Sequence, residues 1–421
     1  MGSLINDAES AETQLAPESV LHRTFRAFRY PDFRMMWAGA CTAQVGTQMR
    51  TAAQSWLVLD LSRDNSFFLG VDQFLGQIPI VLFSLLAGVL ADRHDRRKVL
   101  LGSQYLQMLS AFLLAGLAFS GIVKVPHVWM ISFLVGTAQA FGGPAYSALI
   151  PSLVPKEHMR NAVALNSVQF NLARVIGPTI AGIALTTLGA AWCFGLNGAA
   201  FVVVITILYL VKVGFVPAKS SQPLLASMKA GVRFVMHQSG MKELIVLAFL
   251  IAMLGFQVLT FAPVFARSVF HDGPRAFTLM LSCSGAGAVT GGLAVAALGR
   301  TKHQGRSLLI ALALLGALTT GFALSPSIAI SCVMIFLTEA ALIAALSIST
   351  SLVQMIAPDE MRGRVMSVLN LASRGGLPVG APIAGALIPM FGARTVIAWT
   401  GILMICLATY FLLFNRRIRS L

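Results

Sequence analysis

Long apolar runs separated by short polar connections dominate the chain. A helix that crosses the ~30 Å hydrocarbon core of a bilayer needs roughly 20 mostly apolar residues, and runs of that length recur along the whole sequence. One soluble core cannot bury so many of them, so the pattern predicts an all-α membrane protein with twelve transmembrane helices. The predicted spans are 34–60, 68–91, 99–121, 127–150, 162–188, 191–212, 242–266, 275–298, 307–324, 328–352, 365–388 and 395–414.

The polar segments divide the chain into five predicted parts. Residues 1–25 are polar and acidic and lack the basic start and apolar core of a signal peptide, so we expect a disordered cytoplasmic tail. Six-helix halves are predicted at 26–212 and 242–414, with a basic tail at 415–421. The linker at 213–241 predicts an amphipathic helix on the membrane surface. Its apolar side chains are Leu225, Met228, Val232 and Val235.

Charge changes the picture, because a net charge of +15 would favour a nucleic-acid partner in a soluble protein. Here most of the 31 Lys and Arg residues lie in the segments between or beside the predicted spans. Segments predicted to lie inside hold 23 of them, predicted outside loops hold five, and Arg50, Arg174 and Arg374 fall within spans. This asymmetry predicts that both termini are cytoplasmic. The basic character is therefore a signal of membrane topology, and we expect no nucleic-acid partner.

The sequence contains few residues in patterns that bind metals or cofactors or catalyse reactions. The five cysteines stand singly in predicted spans, and the seven histidines lie at span ends or in loops. We therefore expect no metal and no cofactor. No lysine follows a glycine, so the phosphate-binding loop of an ATP-driven pump is missing from this sequence. One central carboxylate without a central histidine also argues against an enzyme.

A weak internal repeat relates the two predicted halves. Shifting the chain by 203 residues aligns Pro155 with Pro358 and residues 180–182 with 383–385, which are both Ile-Ala-Gly. The same shift places the distant Gly88 on Gly291. Duplicated halves are typical of secondary transporters and would not be needed by a passive channel.

One loop concentrates charge between the second and third predicted spans. The stretch from Gly88 to Gly102 reads GVLADRHDRRKVLLG, with four cations and two aspartates. It resembles the loop motif of the major facilitator superfamily, although Asp95 stands where a glycine is common. Together with WLVLDLS and APDEMRGRVMSVLN, it is similar to the drug and siderophore exporter branch that includes the enterobactin exporter. The resemblance implies the major facilitator fold, alternating access and a bacterial inner membrane.

The resemblance also implies a conformational latch in this loop. A carboxylate at a helix N-terminus contributes about 0.3–1 kcal/mol when exposed, and in related transporters this aspartate approaches the eleventh helix, here near 364–367, when the cytoplasmic side is closed. The alternative is that the loop serves only as a positive-inside anchor. The latch residues are Gly88, Asp92, Arg93, Arg96 and Arg97.

Ionisable residues inside spans form the second informative set. Such a side chain costs about 2.5–3.5 kcal/mol at mid-bilayer and usually faces an interior cavity. Glu339 is interpreted as the only acidic residue well inside a span. By helical rise, it lies at a depth similar to Arg374, Arg174 and Arg50, so all four are expected to share one central region. Glu339 with Arg374 is the candidate for proton coupling. A permanent Glu–Arg ion pair between helices is an equal alternative.

Polar residues near these charges are candidates to line a substrate cavity. In this fold the first, fourth, seventh and tenth helices line the cavity, which also makes Glu339 a lining candidate. For each residue taken alone, a hydrogen bond between helices is the favoured alternative. Three arginines against one glutamate favour an anionic or neutral amphiphile as substrate. The substrate-cavity candidates are Gln44, Gln48, Arg50, Gln139, Asn166 and Arg174.

The stretch RVIGPTIAG at 174–182 resembles the antiporter motif of the fifth helix in exporters. Gly177, Pro178 and Gly182 would bend that helix, although the motif is degenerate and its glycines also suit close helix packing. The sequence thus predicts a monomeric, proton-coupled exporter of amphipathic small molecules such as drugs or siderophores. A lysophospholipid flippase of the same fold, without proton coupling, and a small-nutrient facilitator remain open alternatives.

Overall fold

The computed structural model describes residues 25–211, 224–299 and 303–419. Nearly all of these residues are helical, and no strand occurs among them. The helices are α1 Pro31–Leu61, α2 Ser66–Arg93, α3 Arg96–Phe119, α4 Val125–Leu149, α5 Met159–Thr187, α6 Ala190–Leu210, α7 Leu224–His237, α8 Met241–Gly255, α9 Gln257–Val264, α10 Pro274–Leu298, α11 Gln304–Leu324, α12 Ile328–Ile356, α13 Asp359–Phe391, α14 Ala393–Phe414 and α15 Arg416–Arg419. The predicted span 242–266 is divided between α8 and α9, and a π-helical turn at Phe265–Val269 extends α9.

Ten helical segments of the described chain are long and apolar enough to cross a membrane. Helices α1 and α4 do not belong to these ten, because polar side chains interrupt their apolar runs. Helix α1 carries Gln44, Gln48 and Arg50, and α4 carries Gln139. Ionisable and amide side chains at membrane depth usually face an interior cavity, so the polarity of α1 and α4 points to a cavity beside them.

Helix packing follows one pattern before the linker helix α7 and a matching pattern after it. In the earlier set, which comprises α1–α6, α2 packs on α4, α3 packs on α4 and α6, and α1 packs on α5. In the later set, which comprises α8–α14, α10 packs on α12, α11 packs on α12 and α14, and α8 packs on α13. The most extensive packing between the sets, among the described residues, is that of α2 with α13 and of α5 with α10.

Small residues let several of these helices touch backbone to backbone. A Cβ atom built at Gly287 of α10 would lie 2.0 Å from the carbonyl oxygen of Phe336 in α12. A Cβ atom at Gly70 of α2 would lie 2.4 Å from the carbonyl oxygen of Ala381 in α13. Both distances are far below van der Waals contact, so only glycine fits at these crossings, as is common between transmembrane helices.

The two ends of the helix bundle are packed differently. At the end where α1 leads into α2, which we call the closed end, one buried apolar cluster contains residues of both helix sets, such as Leu59, Leu69, Phe261 and Ile388. At the opposite end, which we call the open end, the described buried residues form two separate clusters. One contains only residues of α1–α6 and their flanking turns, and the other only residues from 235 onward. Among the described residues, a buried apolar cluster shared by both helix sets therefore occurs at the closed end and not at the open end.

An ion cluster covers the closed end. Arg267, in the π-helical turn, forms ion pairs with Asp60 in the last turn of α1 and with Asp64 in the α1–α2 connection, the latter at 2.7 Å. The Arg267 guanidinium also lies 5.4 Å from the ring centre of Trp56, within range of a cation–π interaction. Single-turn π-helices are frequent at functional sites, and this one aims a cation of the later helix set at two carboxylates of the earlier set.

The linker helix α7 packs on protein. It contacts α13, and a Cβ atom at Gly231 would lie 3.0 Å from the carbonyl oxygen of Arg364. Val235 is 4% exposed in the apolar cluster of the later helices, while Val232 is 44% exposed. The prediction that Val235 lies on the membrane surface is therefore wrong, because it is buried in that apolar cluster. The side chains of Leu225 and Met228 lie outside the described residues, as do residues 1–24 of the predicted tail 1–25 and residues 420–421 of the predicted tail 415–421.

Candidate functional site

A cavity of about 600 Å³ lies among helices α1 to α6. It extends from Met36 and Ser147, near the open end, to Ser55 and Asp72, toward the closed end. Its lining combines ten amide side chains with nine apolar ones such as Phe170. Nine glutamines line it, namely Gln44, Gln48, Gln54, Gln73, Gln77, Gln104, Gln107, Gln139 and Gln169.

The structure places most of the predicted cavity residues in this wall. Gln44, Gln48, Arg50, Gln139 and Asn166 all line the cavity. Their role in substrate binding stays a prediction.

The lining differs from the prediction in which helices supply it. The described lining residues come from α1–α6 and from Arg374 of α13, and none comes from α8, α9 or α12. Arg174 and Glu339 are not among the described residues that line the cavity. That the four ionisable side chains share one central region stays a prediction. Distance along a helix gives depth but not the direction in which a side chain points.

Asp72 is a buried carboxylate that the sequence analysis missed. It is 4% exposed and lies in the second turn of α2. The Gln54 amide of α1 donates hydrogen bonds to both of its carboxylate oxygens, at 3.0 and 2.8 Å. The Ser132 hydroxyl of α4 donates a third at 2.5 Å. Glu339 is therefore not the only acidic side chain well inside the helix bundle.

Arg50 joins Asp72 through Gln54. The Arg50 guanidinium donates to Gln54 Oε1, while Gln54 Nε2 donates to Asp72, so one neutral amide links a buried cation to a buried anion. We call Arg50, Gln54, Asp72 and Ser132 the buried relay. Its charged members neutralise each other, as buried charges must. The sequence did carry a signal, because Asp72, Gln73 and Gln77 interrupt an apolar span within two helical turns.

Glu339 lies apart from the cavity, between α12 and α5. It is fully buried, and neither carboxylate oxygen accepts a hydrogen bond within the described chain. Its nearest cation is Arg174 of α5, with Arg174 Nη2 3.8 Å from Glu339 Oε2. Arg374, the other candidate for proton coupling, forms no ion pair with Glu339 among the described residues. This long ion pair instead connects a helix of the earlier set to one of the later set.

The described latch residues contact their own helix set. Arg96 donates to the carbonyl oxygen of Ala148 at 3.1 Å, and Arg97 donates to that of Tyr209 at 3.0 Å. These carbonyls end α4 and α6, where cations are favourable. The side chains of Asp92 and Arg93, together with Gly88, lie outside the described residues. The latch function stays a prediction.

Asp95, which departs from the family motif, is the N-cap of α3. Its carboxylate accepts a hydrogen bond from the backbone N–H of Arg97 at 2.9 Å. Replacing an N-cap aspartate with alanine typically costs ~1 kcal/mol, so we expect Asp95→Ala to lower the free energy of unfolding by that amount. Unfolding by SDS in detergent micelles, followed by circular dichroism, would measure it. A stability equal to that of the unmodified protein would contradict the cap assignment.

The residues of the antiporter-like motif pack against other helices. A Cβ atom at Gly177 would lie 2.5 Å from Cβ of Gln48 in α1, and one at Gly182 would lie 2.3 Å from Oγ1 of Thr278 in α10. Pro178 lies inside α5, which stays continuous through it. These contacts are those expected of close packing by small residues. A further role in antiport stays a prediction.

Comparison with known proteins gives a consistent result. The staphyloferrin A transporter of Staphylococcus aureus is 26% identical over 87% of this chain and 91% of its own length. Macrolide efflux protein A of Streptococcus pyogenes is 23% identical over 89% of this chain and 94% of its own length. The enterobactin exporter EntS of Shigella boydii is 28% identical over 72% of each chain.

Solved structures show the same fold. A mutant of the nucleoside transporter NupG superposes with a TM-score of 0.75 over 92% of this chain and 100% of its own, at 13% sequence identity. The sequence pattern of the transmembrane secretion effectors matches residues 22–420, nearly the whole chain. The resemblance to the drug and siderophore exporters is thereby confirmed. The chain belongs to the transmembrane secretion effector family of the major facilitator superfamily.

Proposed function

We propose that the protein is a secondary active exporter of amphipathic small molecules in a bacterial inner membrane. The amide-lined cavity is the observation that carries this proposal, because it is large enough for a small solute and lies at membrane depth. Two six-helix halves with twelve spans account for the matching packing patterns before and after α7. The proposed transporter works as a monomer.

The orientation follows from the charge asymmetry of the loops. With both termini cytoplasmic, the open end faces the cytoplasm and the closed end faces outward. A solute could then reach the cavity from the cytoplasm but not leave on the other side, because the shared apolar cluster and the Arg267 ion pairs lie in between. This is the state in which an exporter would load its substrate.

Alternating access requires the two helix sets to separate at the closed end. The two helix sets would separate at the contacts between α2 and α13 and close over the cavity at the open end. Each half would move largely as one body, as is general for transporters built of repeats. The ion pairs of Arg267 with Asp60 and Asp64 would break in each cycle. Such exposed pairs contribute only about 0–1 kcal/mol each, so they would not prevent the movement.

Protons are the proposed coupling ion, with Glu339 as their carrier. Its carboxylate is fully buried and has Arg174 as its one facing charge among the described residues. Proton uptake would weaken this ion pair between α12 and α5, which belong to different halves. Proton uptake and the relative movement of the halves would therefore influence each other, as linkage requires.

The test uses purified protein in liposomes with a pH-sensitive dye inside, an imposed pH gradient, and a panel of lipophilic dyes, macrolides and siderophores. We expect substrate-dependent proton movement in the unmodified protein. Glu339→Gln removes the proton carrier while preserving size, so proton movement should fall to the level of empty liposomes. Glu157→Gln is the matched control, since Glu157 is exposed in the connection between α4 and α5 and should leave transport unchanged.

Two results would count against the proposal in different ways. Transport without proton movement, unaffected by Glu339→Gln, would leave Glu339 as a structural ion-pair partner and remove proton coupling. No transport of any compound, by protein that is monodisperse and folded, would contradict the exporter function itself.

A further inference from the structure

Five glutamines of the cavity wall carry side-chain amides that form no hydrogen bond within the described chain. Gln44 and Gln48 of α1, Gln73 and Gln77 of α2 and Gln139 of α4 all line the cavity. Within the described chain none of these side chains makes a hydrogen bond, whereas Gln54 and Gln107 do. Each free amide offers two N–H donors and a carbonyl acceptor. The wall therefore suits a solute with many hydroxyl, amide or carboxylate groups.

The cavity also holds one unpaired cation. Its charged lining residues are Arg50, Asp72 and Arg374, and the first two are joined through Gln54 in the buried relay. Arg374 has neither a hydrogen bond nor an ion pair among the described residues, and it is exposed. The remaining charge of the site is thus +1. A guanidinium is well suited to bind a carboxylate with two parallel hydrogen bonds.

Arg374 enters the cavity from the other helix set. All other described lining residues lie between Met36 and Val204, whereas Arg374 belongs to α13. A solute that bound Arg374 with its carboxylate and the glutamines with its hydroxyl groups would touch both sets at once. Such a solute favours the state in which the two sets lie close around it, because binding shifts a conformational equilibrium only through differential contacts.

We propose that the transported solute is a carboxylic acid rich in hydroxyl or amide groups, whose carboxylate binds Arg374 and whose polar body binds the glutamine wall. This deepens the proposed function and rests on it. Apolar lining residues such as Ile80, Val135 and Phe170 leave room for a nonpolar portion of the solute. A lipophilic cation fits this site poorly, because it would meet an uncompensated positive charge.

The experiment compares three probes by titration calorimetry on the full chain in lipid nanodiscs. Lactobionate and lactitol have the same sugar and chain length but differ by one carboxylate, and ethidium is a lipophilic cation. We expect lactobionate to bind at least about 10-fold more tightly than lactitol, since hydrogen bonds to charged groups are the stronger class. In Arg374→Gln the two affinities should agree within about 2-fold. Arg394→Gln, which removes an arginine outside the cavity wall, should retain the difference.

The glutamine wall has its own test. Gln73→Leu should weaken lactobionate and lactitol alike by about 3- to 10-fold, because both use the same hydroxyl contacts. Equal affinities of the two sugars in the unmodified protein, or no binding of lactobionate, would overturn the proposal. So would ethidium binding that exceeds lactobionate binding and strengthens in Arg374→Gln. These results differ from failure of the exporter function, in which no compound of the liposome panel moves.

Discussion

Replacing Gly70 with leucine is expected to reduce transport by about 100-fold while the protein stays folded. Gly70 lies at the closed end, where α2 and α13 meet backbone to backbone, and the Cβ atom of any larger residue would fall 2.4 Å from the Ala381 carbonyl oxygen and 3.0 Å from Cα of Pro382. Both neighbours are backbone atoms, so they cannot rotate away as a side chain would. The two helices must therefore separate at this end.

The size of this effect follows from the cost of overpacking. Inserting extra methylenes into a packed contact costs typically 1–3 kcal/mol and occasionally more. That cost falls only on the state in which the closed end is closed, because α2 and α13 part in the other state. About 3 kcal/mol shifts a two-state equilibrium by roughly 100-fold. The hydrogen bond from the Ser66 hydroxyl to the Gly385 carbonyl, 3.0 Å long, would be lost with it.

Labelling of a cavity cysteine from outside the cell measures this shift. In a variant whose five native cysteines are replaced by alanine, Thr51→Cys places a thiol in the cavity wall. We expect slow reaction with a membrane-impermeant maleimide in the parent and fast reaction after Gly70→Leu. Gly116→Leu is the control, because nothing lies within 4 Å of a Cβ atom there. Unchanged labelling and transport in Gly70→Leu would show that α2 and α13 do not seal the closed end.

The hydrophobic pattern predicted the position of the helices better than their length. Each predicted span overlaps a helix of the structure, but α13 begins at Asp359 where the pattern predicts 365, and α12 continues to Ile356 beyond the predicted 352. A hydropathy pattern detects only the apolar segment that lies in the hydrocarbon core of the bilayer. The helix itself continues through polar turns that are capped and solvated. The break between α8 and α9 was also missed, because both flanks are equally apolar.

The family resemblance supplied part of the site. It implied that the first and fourth helices line the cavity, which made Gln44, Gln48 and Gln139 candidates, and all three line the cavity. The partners of the charged residues could not be found in this way. Arg174, and not Arg374, lies beside Glu339, because pairing depends on how each helix is rotated about its axis. Asp72 was missed because it lies near the end of its predicted span, where charge is unremarkable.

Replacing Asp72 with leucine should be among the most destabilising changes in the protein. Asp72 accepts hydrogen bonds from Gln54 and Ser132, and through Gln54 it compensates the buried Arg50, which is 8% exposed. Removing one partner of a buried charge pair leaves the other uncompensated and typically costs 3–5 kcal/mol. We expect a loss of about that size in the free energy of unfolding, measured by SDS titration in micelles. Asp359→Leu, at a position 85% exposed, should change it by less than about 1 kcal/mol.

A double-mutant cycle separates the lost charge pair from the lost volume. If the relay compensates Arg50, then Arg50→Met should also destabilise, but the double variant Arg50→Met, Asp72→Leu should cost less than the two single changes together. Buried ion pairs replaced as a unit by apolar residues are often neutral in stability, and groups in one network show coupling energies of about 0.5–3 kcal/mol. Additive effects would mean that Gln54 isolates the two charges. The cation at the cavity wall would then be available to an anionic solute, and Arg50 would join Arg374 as a binding group.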